Sequence, residues 1–214
     1  MDWDSSNKIP TVRDLMPPWI FTWRPWEQRV MAMDELMPLL IAVSAENVRL
    51  GPARNGGGPY AAAVVRNVTS AGDDLPNRAQ VISLAANAVE AMHDASAHAS
   101  VLAARLAAST LGRHLLDEDG EGGKLWLVAT CEPCRMCLEV LGDFHLWRIA
   151  YALRGAQAKK LADQERGEPL RNGAPFRLHH LSTFQPSAAE VVRQWKSRQQ
   201  RQSESDYNPP REEG

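Results

Sequence analysis

The cysteines of this 214-residue chain fall in one short stretch, as Cys131, Cys134 and Cys137. Three cysteines cannot all pair within one chain, and residues Met1–Ser6 lack the basic and apolar regions of a secretory signal. We therefore expect a cytoplasmic location and no disulfide framework, because disulfides persist in oxidising compartments. Clustered thiols in an intracellular chain indicate metal binding or redox chemistry.

The spacing Pro133-Cys134-x-x-Cys137 follows a predicted strand, Lys124–Thr130, and predicts the start of a helix. Proline suits the first helical position, and cysteines three residues apart then share one face of the first turn. The unpaired N–H groups and the dipole of a helix start lower the pKa of a thiol. Two thiolates at this spacing supply half of a tetrahedral zinc site, although C-x-x-C taken alone equally fits a redox pair.

A histidine supplies a further ligand to this predicted site. His98 opens the alanine-rich stretch Ala97–Leu111, which we predict to be a helix closed by Gly112. A His-Cys-Cys set leaves the fourth position of the ion open, which is typical of a catalytic rather than a structural zinc. His93 is the competing candidate, but it precedes the helix in a loop, and we interpret it as a surface residue.

The composition limits the classes of protein to which the chain can belong. Hydrophobic residues make up 44% of the chain, charged residues make up 23%, and the formal net charge is -2. This composition excludes a wholly disordered chain, and no apolar run reaches the ~18–20 residues of a membrane span. A net charge this close to zero gives no overall positive charge with which to bind a long nucleic acid. The length suits one domain with a well-formed core.

Helices and strands must alternate along the chain to position these residues. Apolar spacings of three and four predict a helix from Glu27 to about Leu50, with a kink or break near Leu36 caused by Pro38. The other predicted elements are strands at 60–65, 80–89, 124–130, 149–153 and 176–181, and helices at 97–111, from 133 onward and at 188–198. Strands alternating with helices indicate a layered α/β domain.

The predicted zinc domain spans residues 27–198 and is flanked by two segments of different composition. Residues 1–26 hold four tryptophans and four prolines, which indicates an extended aromatic arm packed on its own domain or on a partner subunit. Residues 199–214 are mostly polar and charged, which predicts a disordered tail.

These motifs, in this order, resemble the zinc-dependent cytidine deaminase superfamily, and within it the guanine deaminase and tRNA adenosine deaminase branch. The superfamily places H-x-E on one helix and P-C-x-x-C on the next. The resemblance covers about residues 35–198, and its matching segments are Gly57-Gly58-Pro59-Tyr60-Ala61-Ala62, Ala86-Asn87-Ala88-Val89, Asp94-Ala95-Ser96-Ala97-His98-Ala99, Thr130–Leu138, Pro175-Phe176-Arg177 and the helix of Trp195.

The resemblance implies a three-layer α/β/α fold with a central mixed five-stranded sheet. It implies a zinc ion held by His98, Cys134 and Cys137, with Cys131 as a neighbour that is not a ligand. Proteins of this branch usually dimerise through the elements around the zinc helices. We therefore expect a homodimer, with a heterodimer as the alternative.

The resemblance also implies a pocket for a flat, small amino-heterocycle of purine or pterin type. Asn87 and backbone groups near Ala99 would hold the ring, and Tyr60 would stack on it. A tRNA partner is disfavoured, because a tRNA surface needs clustered basic residues around the mouth of the pocket. Such residues gather only near the end of the chain, at Arg193, Lys196, Arg198 and Arg201.

One position departs from the family pattern at the centre of its chemistry. Ser100 stands where the family carries the glutamate that takes a proton from the metal-activated water and delivers it to the ring and the departing amine. A serine hydroxyl can orient that water, but it cannot shuttle protons near neutral pH. A general acid–base group contributes roughly 10²–10⁴ in rate, so its loss should nearly silence ordinary deamination.

Two further departures leave three hypotheses open. Asp143 stands where guanine deaminases carry a pocket tryptophan, and Gln157 stands where they carry an aspartate. In the first hypothesis the chain is an enzyme with altered chemistry, in which Asp143, or another carboxylate such as Glu132 or Asp94, transfers protons. Asp143 equally fits a solvated loop. In the others, the chain is a silent zinc-bearing subunit or ligand-binding protein, or an inactivated mutant of a guanine-type deaminase.

Overall fold

A mixed sheet of six strands forms the centre of the molecule, which is known from a computed structural model. The structure describes residues 18–23, 29–54, 56–69, 75–117, 123–162 and 175–206. The strands are β1 (Val30–Ala32), β2 (Ala61–Asn67), β3 (Arg78–Ala86), β4 (Leu125–Cys131), β5 (Arg148–Leu153) and β6 (Arg177–His180). They lie in the order β1-β3-β2-β4-β5-β6, which confirms the predicted mixed α/β class.

Helices cover this sheet in two groups. The helices are α1 (Pro18–Trp23), α2 (Met33–Leu50), α3 (Val89–Met92), α4 (Ala99–Leu111), α5 (Arg135–Asp143), α6 (Gly155–Ala162) and α7 (Gln185–Asp206). α4 packs against α5, whereas α2 and α6 both pack against α7. β4 is buried at every residue, as a central strand covered on both faces must be.

The strand directions bring three chain segments to one end of the sheet. β4, β5 and β6 run parallel, whereas β2 pairs antiparallel with both β3 and β4. The start of β2 therefore lies beside the ends of β3 and β4, where Ala61 pairs with Ala86. Thr130 closes this junction, because its Oγ1 accepts a hydrogen bond from the N–H of Ala61 at 3.0 Å. Residues that adjoin these strand ends are consequently neighbours in space.

The expected count of five strands is wrong, because the sheet contains six. The strand that was not predicted is β1, which pairs with β3 at one edge and lies inside the stretch predicted to be helix from Glu27. A three-residue strand is too short to show its own period, so its apolar residues merged with the pattern of the helix that follows. α2 begins only at Met33.

Helix α2 runs without interruption through Pro38, so the predicted break near Leu36 does not occur. Proline in a helix removes one backbone hydrogen bond and crowds the preceding turn. Here Leu36, Met37 and Leu40 are fully buried on either side of the proline. Their packing against the core offsets the lost bond and keeps the helix continuous.

The described part of the aromatic arm is helical and not extended. Pro18 is the first residue of α1, a position that proline tolerates because its missing N–H has no partner there. Ile20 is buried in the core, and Trp19 and Phe21 pack against it. The described part of the arm therefore packs on its own domain. Trp3 and Trp26, on which the prediction of the arm also depended, lie outside the described residues.

Helix α7 is longer than predicted and ends at Asp206 instead of Arg198. Its first half buries Val192 and Trp195. Beyond them, the guanidinium group of Arg198 donates to the carbonyl of Val48 in α2. The boundaries of arm, domain and tail otherwise stay a prediction. Among the described helices, none has an apolar stretch long enough to cross a bilayer.

Candidate metal centre and its cleft

Two helix starts meet at the carboxyl end of β4. His98 is the N-cap residue of α4, Cys134 is the N-cap residue of α5, and Cys137 lies in the first turn of α5. The helix begins at Arg135, two residues after the predicted start at Pro133. Both helix starts bring unpaired backbone N–H groups and a positive dipole end to the same place, which favours anionic thiolates.

A tight turn before α4 fixes the position of His98. The Oδ1 atom of Asp94 accepts hydrogen bonds from the N–H of Ser96 at 2.8 Å and from its hydroxyl at 2.7 Å. The bond from the Ser96 hydroxyl is the largest cause that lowers the pKa of Asp94. The carbonyl of Ala97 accepts a bond from the N–H of Ala88 at 3.0 Å, which ties the turn to the end of β3.

The side chains of His98, Cys134 and Cys137 form a compact triangle of ligand atoms. The Nδ1 atom of His98 lies 3.5 Å from Sγ of Cys134 and 3.4 Å from Sγ of Cys137, and the two sulfur atoms lie 3.5 Å apart. Zn–S bonds of about 2.3 Å and Zn–N bonds of about 2.0 Å put the ligand atoms of tetrahedral zinc roughly 3.5–3.8 Å apart. The donor set and its spacing therefore fit zinc with one position open.

The thiol of Cys134 is held in its thiolate form. The hydrogen bond from Cys137 is the largest cause, and together with His98 it lowers the pKa of Cys134 from 9.0 to about 3. Burial acts in the opposite direction, but its effect is smaller than that of the hydrogen bond. A thiolate is the form of cysteine that binds a metal, so the site carries an anionic ligand at neutral pH.

A half-open cleft lies at this triangle. The start of β2, the end of β3, the start of α4 and the turn from β4 to α5 form its walls. Besides the three ligand residues, the cleft is lined by Tyr60, Asn87, Ala99, Ser100, Cys131 and Glu132, among others. The structure thus brings together every residue of the predicted site except Asp143.

Asn87 lines the cleft and has a side-chain donor group that no other described residue uses. Its Oδ1 accepts a hydrogen bond from the N–H of Val89 at 3.3 Å, and its Nδ2 bonds to no other described residue. Its backbone N–H donates to the carbonyl of Tyr60 at 2.8 Å. Gly58 lies so close that a Cβ atom there would be 2.9 Å from Oδ1 of Asn87. The glycine-rich loop therefore leaves the space that the asparagine side chain occupies.

The start of α4 contributes polar groups beside the metal triangle. No side chain caps this helix start, so the N–H groups of its first residues, beginning with Ala99, are available to a ligand. Ser100 is 7% exposed and lines the cleft, and its hydroxyl bonds to no other described residue. A hydroxyl at this place can orient a water molecule or a substrate atom.

Asp143 does not line the cleft. Asp143 is the last residue of α5 and is exposed, whereas the metal ligands lie at the first turn of this 9-residue helix. At 1.5 Å per residue the helix carries Asp143 roughly 13 Å along its axis from Cys134. The alternative interpretation, a solvated residue, agrees with this placement.

The other two candidate carboxylates, Asp94 and Glu132, differ in whether they line the cleft. Asp94 serves the turn before α4 and does not line the cleft. Glu132 is buried and lines the cleft, and its Oε2 accepts a hydrogen bond from the N–H of Gly155 at 2.8 Å. Glu132 therefore caps the start of α6 while it forms part of the cleft wall. Gln157 lies in that helix and does not line the cleft.

Two buried residues that shape the cleft were missed from the sequence. Asn47 in α2 donates to the carbonyls of Gly58 and Asn87, and Thr130 bonds to Ala61. Their partners lie 11, 40 and 69 residues away along the chain. Its position was the available signal for Asn47, which follows Leu40 and Val43 at helical spacing on the apolar face, because a buried amide needs partners.

Comparisons with known proteins agree with this geometry. Residues 74–153 match the family described as the cytidine and deoxycytidylate deaminase zinc-binding region. A tRNA-specific adenosine deaminase from Agrobacterium fabrum (strain C58) is 30% identical over 121 residues, which are 54% of this chain and 72% of that protein. The family match spans the segments that carry His98, Cys134 and Cys137.

Solved structures share the fold. A guanine deaminase from Nitrosomonas europaea has a TM-score of 0.68 at 23% identity, and the match covers 85% of this chain and 94% of that chain. A structure in complex with 2,6-diaminopurine has a TM-score of 0.70 at 23% identity and covers 85% of this chain and 90% of that chain. A structure from a study of tRNA:A34 deaminases has a TM-score of 0.51 at 20% identity, covering 73% and 99% of the two chains.

Proposed function

Since the chain belongs to the family of the cytidine and deoxycytidylate deaminase zinc-binding region, we propose that it is a zinc-dependent enzyme acting on a small amino-heterocycle of purine or pterin type. In this reaction water adds to a ring carbon, the bond from that carbon to the exocyclic amino group breaks, and ammonia leaves. The observation that carries the proposal is that one cleft contains the three zinc ligands together with the donor group of Asn87.

The polar groups of the cleft suit a flat ring that carries acceptor atoms. The Nδ2 group of Asn87 can donate to a ring nitrogen or carbonyl, because no described residue uses it. The N–H groups at the start of α4, beginning with Ala99, offer further donors. The ring of Tyr60 at the start of β2 supplies a surface on which a heterocycle stacks. Guanine and 2,6-diaminopurine, named for two of the similar structures, belong to this chemical class.

His98, Cys134 and Cys137 would hold the zinc ion, which when bound supplies the Lewis acidity that activates water for attack. The Ser100 hydroxyl orients that water but cannot carry its proton near neutral pH. The chemistry of this chain is therefore altered from that of deaminases with a glutamate at this position. Glu132 is the acidic residue, among those described, that lines the cleft. It is the carboxylate to test for proton transfer.

A second candidate function follows from the same position. Because Ser100 replaces the expected acid, the chain also fits a catalytically silent subunit that binds zinc and a heterocycle, and an inactivated guanine-type deaminase fits in the same way. We further propose that the chain forms a homodimer in the cytoplasm. A reducing compartment keeps the thiols of Cys134 and Cys137 available as ligands.

The experiment combines metal analysis with assays of ammonia release. Bound zinc is measured by mass spectrometry of the purified chain. Ammonia release is then followed with guanine, adenine, 2,6-diaminopurine and pterin for the zinc-loaded native chain, Ser100→Glu and Glu132→Gln. Asp143→Asn is the control, because this exposed side chain lies far from the cleft. We expect slow release by the native chain from at least one compound and a rate roughly 10²–10⁴ higher in Ser100→Glu.

Each outcome separates the hypotheses. Loss of native activity in Glu132→Gln, with Asp143→Asn unchanged, would assign proton transfer to Glu132. Activity in Ser100→Glu alone would favour the silent subunit or the inactivated enzyme. A chain without zinc would overturn the metal centre, and a zinc-loaded Ser100→Glu that releases ammonia from none of the four compounds would overturn the proposed substrate class.

A further inference from the structure

Asn47 is a fully buried residue near the end of α2 that does not line the cleft. Its Nδ2 group donates two hydrogen bonds, one to the carbonyl of Gly58 at 2.9 Å and one to the carbonyl of Asn87 at 2.8 Å. Gly58 belongs to the loop before β2, and Asn87 follows the last residue of β3. One amide therefore joins two neighbouring segments whose following or first residues, Tyr60 and Asn87, line the cleft.

The chemistry of the neighbouring atoms fixes the orientation of this amide. Both of its close partners are carbonyl oxygens, so the NH₂ group and not the oxygen must face them. The buried Oδ1 of Asn47 accepts no hydrogen bond from another described residue. The backbone carbonyl of Asn47 also accepts a bond from the N–H of Gly57 at 3.1 Å. The loop at Gly57 and Gly58 is thus held by both the backbone and the side chain of one residue.

The two segments joined by Asn47 carry the residues that we place against the ring. Asn87 ends one segment, and Tyr60 lies two residues after Gly58 on the other. The N–H of Asn87 also donates to the carbonyl of Tyr60, so a second hydrogen bond joins the two segments. The metal ligands lie at the starts of α4 and α5, which Asn47 does not contact through these bonds.

We propose that Asn47 is a positioning residue that sets where Asn87 and Tyr60 stand relative to the metal triangle. The identity of the ligand rests on the proposed function, whereas the positioning of the two segments is a property of this fold. A misplacement of about 1 Å near a reacting centre can cost about 10²-fold in rate. Because the side-chain bonds of Asn47 reach none of the metal ligands, loss of its amide should weaken ring binding and leave zinc in place.

The test compares two buried positions on the same helix. Asn47→Leu replaces the amide with an apolar side chain of similar size. Ser44→Ala is the matched control, because Ser44 is equally buried in α2 and its hydroxyl donates to the carbonyl of Ile41 within the helix at 2.8 Å. Zinc content, amide hydrogen exchange, the Kd for 2,6-diaminopurine, and KM and kcat for the substrate found are measured on the full zinc-loaded chains.

In Asn47→Leu we expect full zinc content and faster exchange at residues 57–60 and 86–89. We also expect Kd and KM to rise about tenfold or more, with a smaller change in kcat. Ser44→Ala should show none of these changes. Unchanged exchange in both segments, or the same change in Ser44→Ala, would overturn the proposal, as would an unchanged Kd and KM in a variant that binds its zinc.

Two alternative outcomes are handled as follows. If the native chain binds none of the compounds, the proposed function fails, and hydrogen exchange alone then decides whether Asn47 positions the two segments. If Asn47→Leu does not fold, Asn47→Ala takes its place under the same criteria, because it removes both donors without placing a larger group against the two carbonyls.

Discussion

The Nδ1 atom of His98 lies 3.4 Å from the Sγ atom of Cys137, although 39 residues separate them in sequence. Neither atom reaches the other unless the first turns of α4 and α5 meet. The contact therefore shows that these two helix starts pack against each other. Zinc binding reports on this packing, because the ligands come from both.

Removal of one ligand atom should abolish stoichiometric zinc binding. We expect His98→Ala and Cys137→Ser each to lower the affinity for zinc. The loss should exceed the roughly 10–100-fold that follows removal of a residue that only hydrogen-bonds to a ligand. Cys131→Ser is the matched control, since Cys131 lines the same cleft but lies outside the triangle. Zinc is measured by mass spectrometry after dialysis. One zinc per chain in both ligand variants would contradict the assignment.

The lowered pKa of Cys134 predicts how the zinc-free chain responds to pH. The folded pKa is about 3, below the ordinary 9.0, so the unfolded chain binds more protons between these values. The stabilisation from this thiolate therefore grows with pH between about 3 and 9 and is lost as the pH falls through about 3.

Alkylation measures the same titration. In zinc-free native protein we expect Cys134 to react with iodoacetamide at a nearly constant rate between about pH 5 and 8, because it is a thiolate throughout. Cys137→Ala removes the largest cause of the shift and should restore a rate that rises with pH. Modification is located by mass spectrometry. A rate at Cys134 of the native chain that rises tenfold per pH unit would refute the prediction.

Gly58→Ala should disturb the cleft without disturbing the metal. A Cβ at this position would lie 2.9 Å from Oδ1 of Asn87, so the asparagine must move. We expect an affinity for 2,6-diaminopurine that falls about tenfold or more, with zinc retained. Calorimetric titration gives the affinity.

Gly112→Ala is the control for the effect of a methyl group on a glycine. Gly112 ends α4 with φ +66°, and a Cβ there meets no atom within 4 Å. The substitution should cost about 1 kcal/mol of stability through its left-handed backbone and leave the affinity unchanged. Equal losses of affinity in both variants would argue against the contact with Asn87.

Glu132 should prove important for stability whatever its part in catalysis. Its Oε2 accepts the N–H of Gly155 at the start of α6, and hydrogen bonds to charged groups contribute about 1.5–3 kcal/mol. We expect Glu132→Ala to lose about that much free energy of unfolding, and Glu132→Gln, which keeps an acceptor oxygen, to lose about 1 kcal/mol or less. Urea denaturation measures both. The prediction fails if Glu132→Ala is as stable as the native chain.

The ligand triangle was predictable because its signals are local. A proline followed by C-x-x-C at a strand end predicts a helix start, and the alanine-rich stretch after His98 predicts another. The family pattern, which contains both motifs, then indicates that the two helix starts form one site. The supporting residues Asn47 and Thr130 were not predictable, because their roles depend on partners 40 and 69 residues away.

The differences between the predictions and the structure also have physical causes. Asp143 was matched by counting along the sequence, but α5 runs away from the metal and carries this residue to its far end. The strand at Val30–Ala32 forms because it pairs with the edge of β3. The sequence of three residues alone does not reveal such a pairing. Residues 199–206 are polar enough to suggest a tail, yet they extend α7, and Gln199 donates to Glu90 at 3.1 Å.

The pairing of β2 with β4 has a consequence for the order of folding. The bond between Ala61 and Thr130 closes a loop of 69 residues, and contacts of such separation form slowly because the chain entropy must be overcome first. Cys134 and Cys137 are neighbours from the moment they are synthesised, whereas His98 reaches them only after the central strands have assembled. A nascent chain therefore offers metal ions only the two thiols of Cys134 and Cys137. The complete three-ligand binding site forms after the central strands have paired.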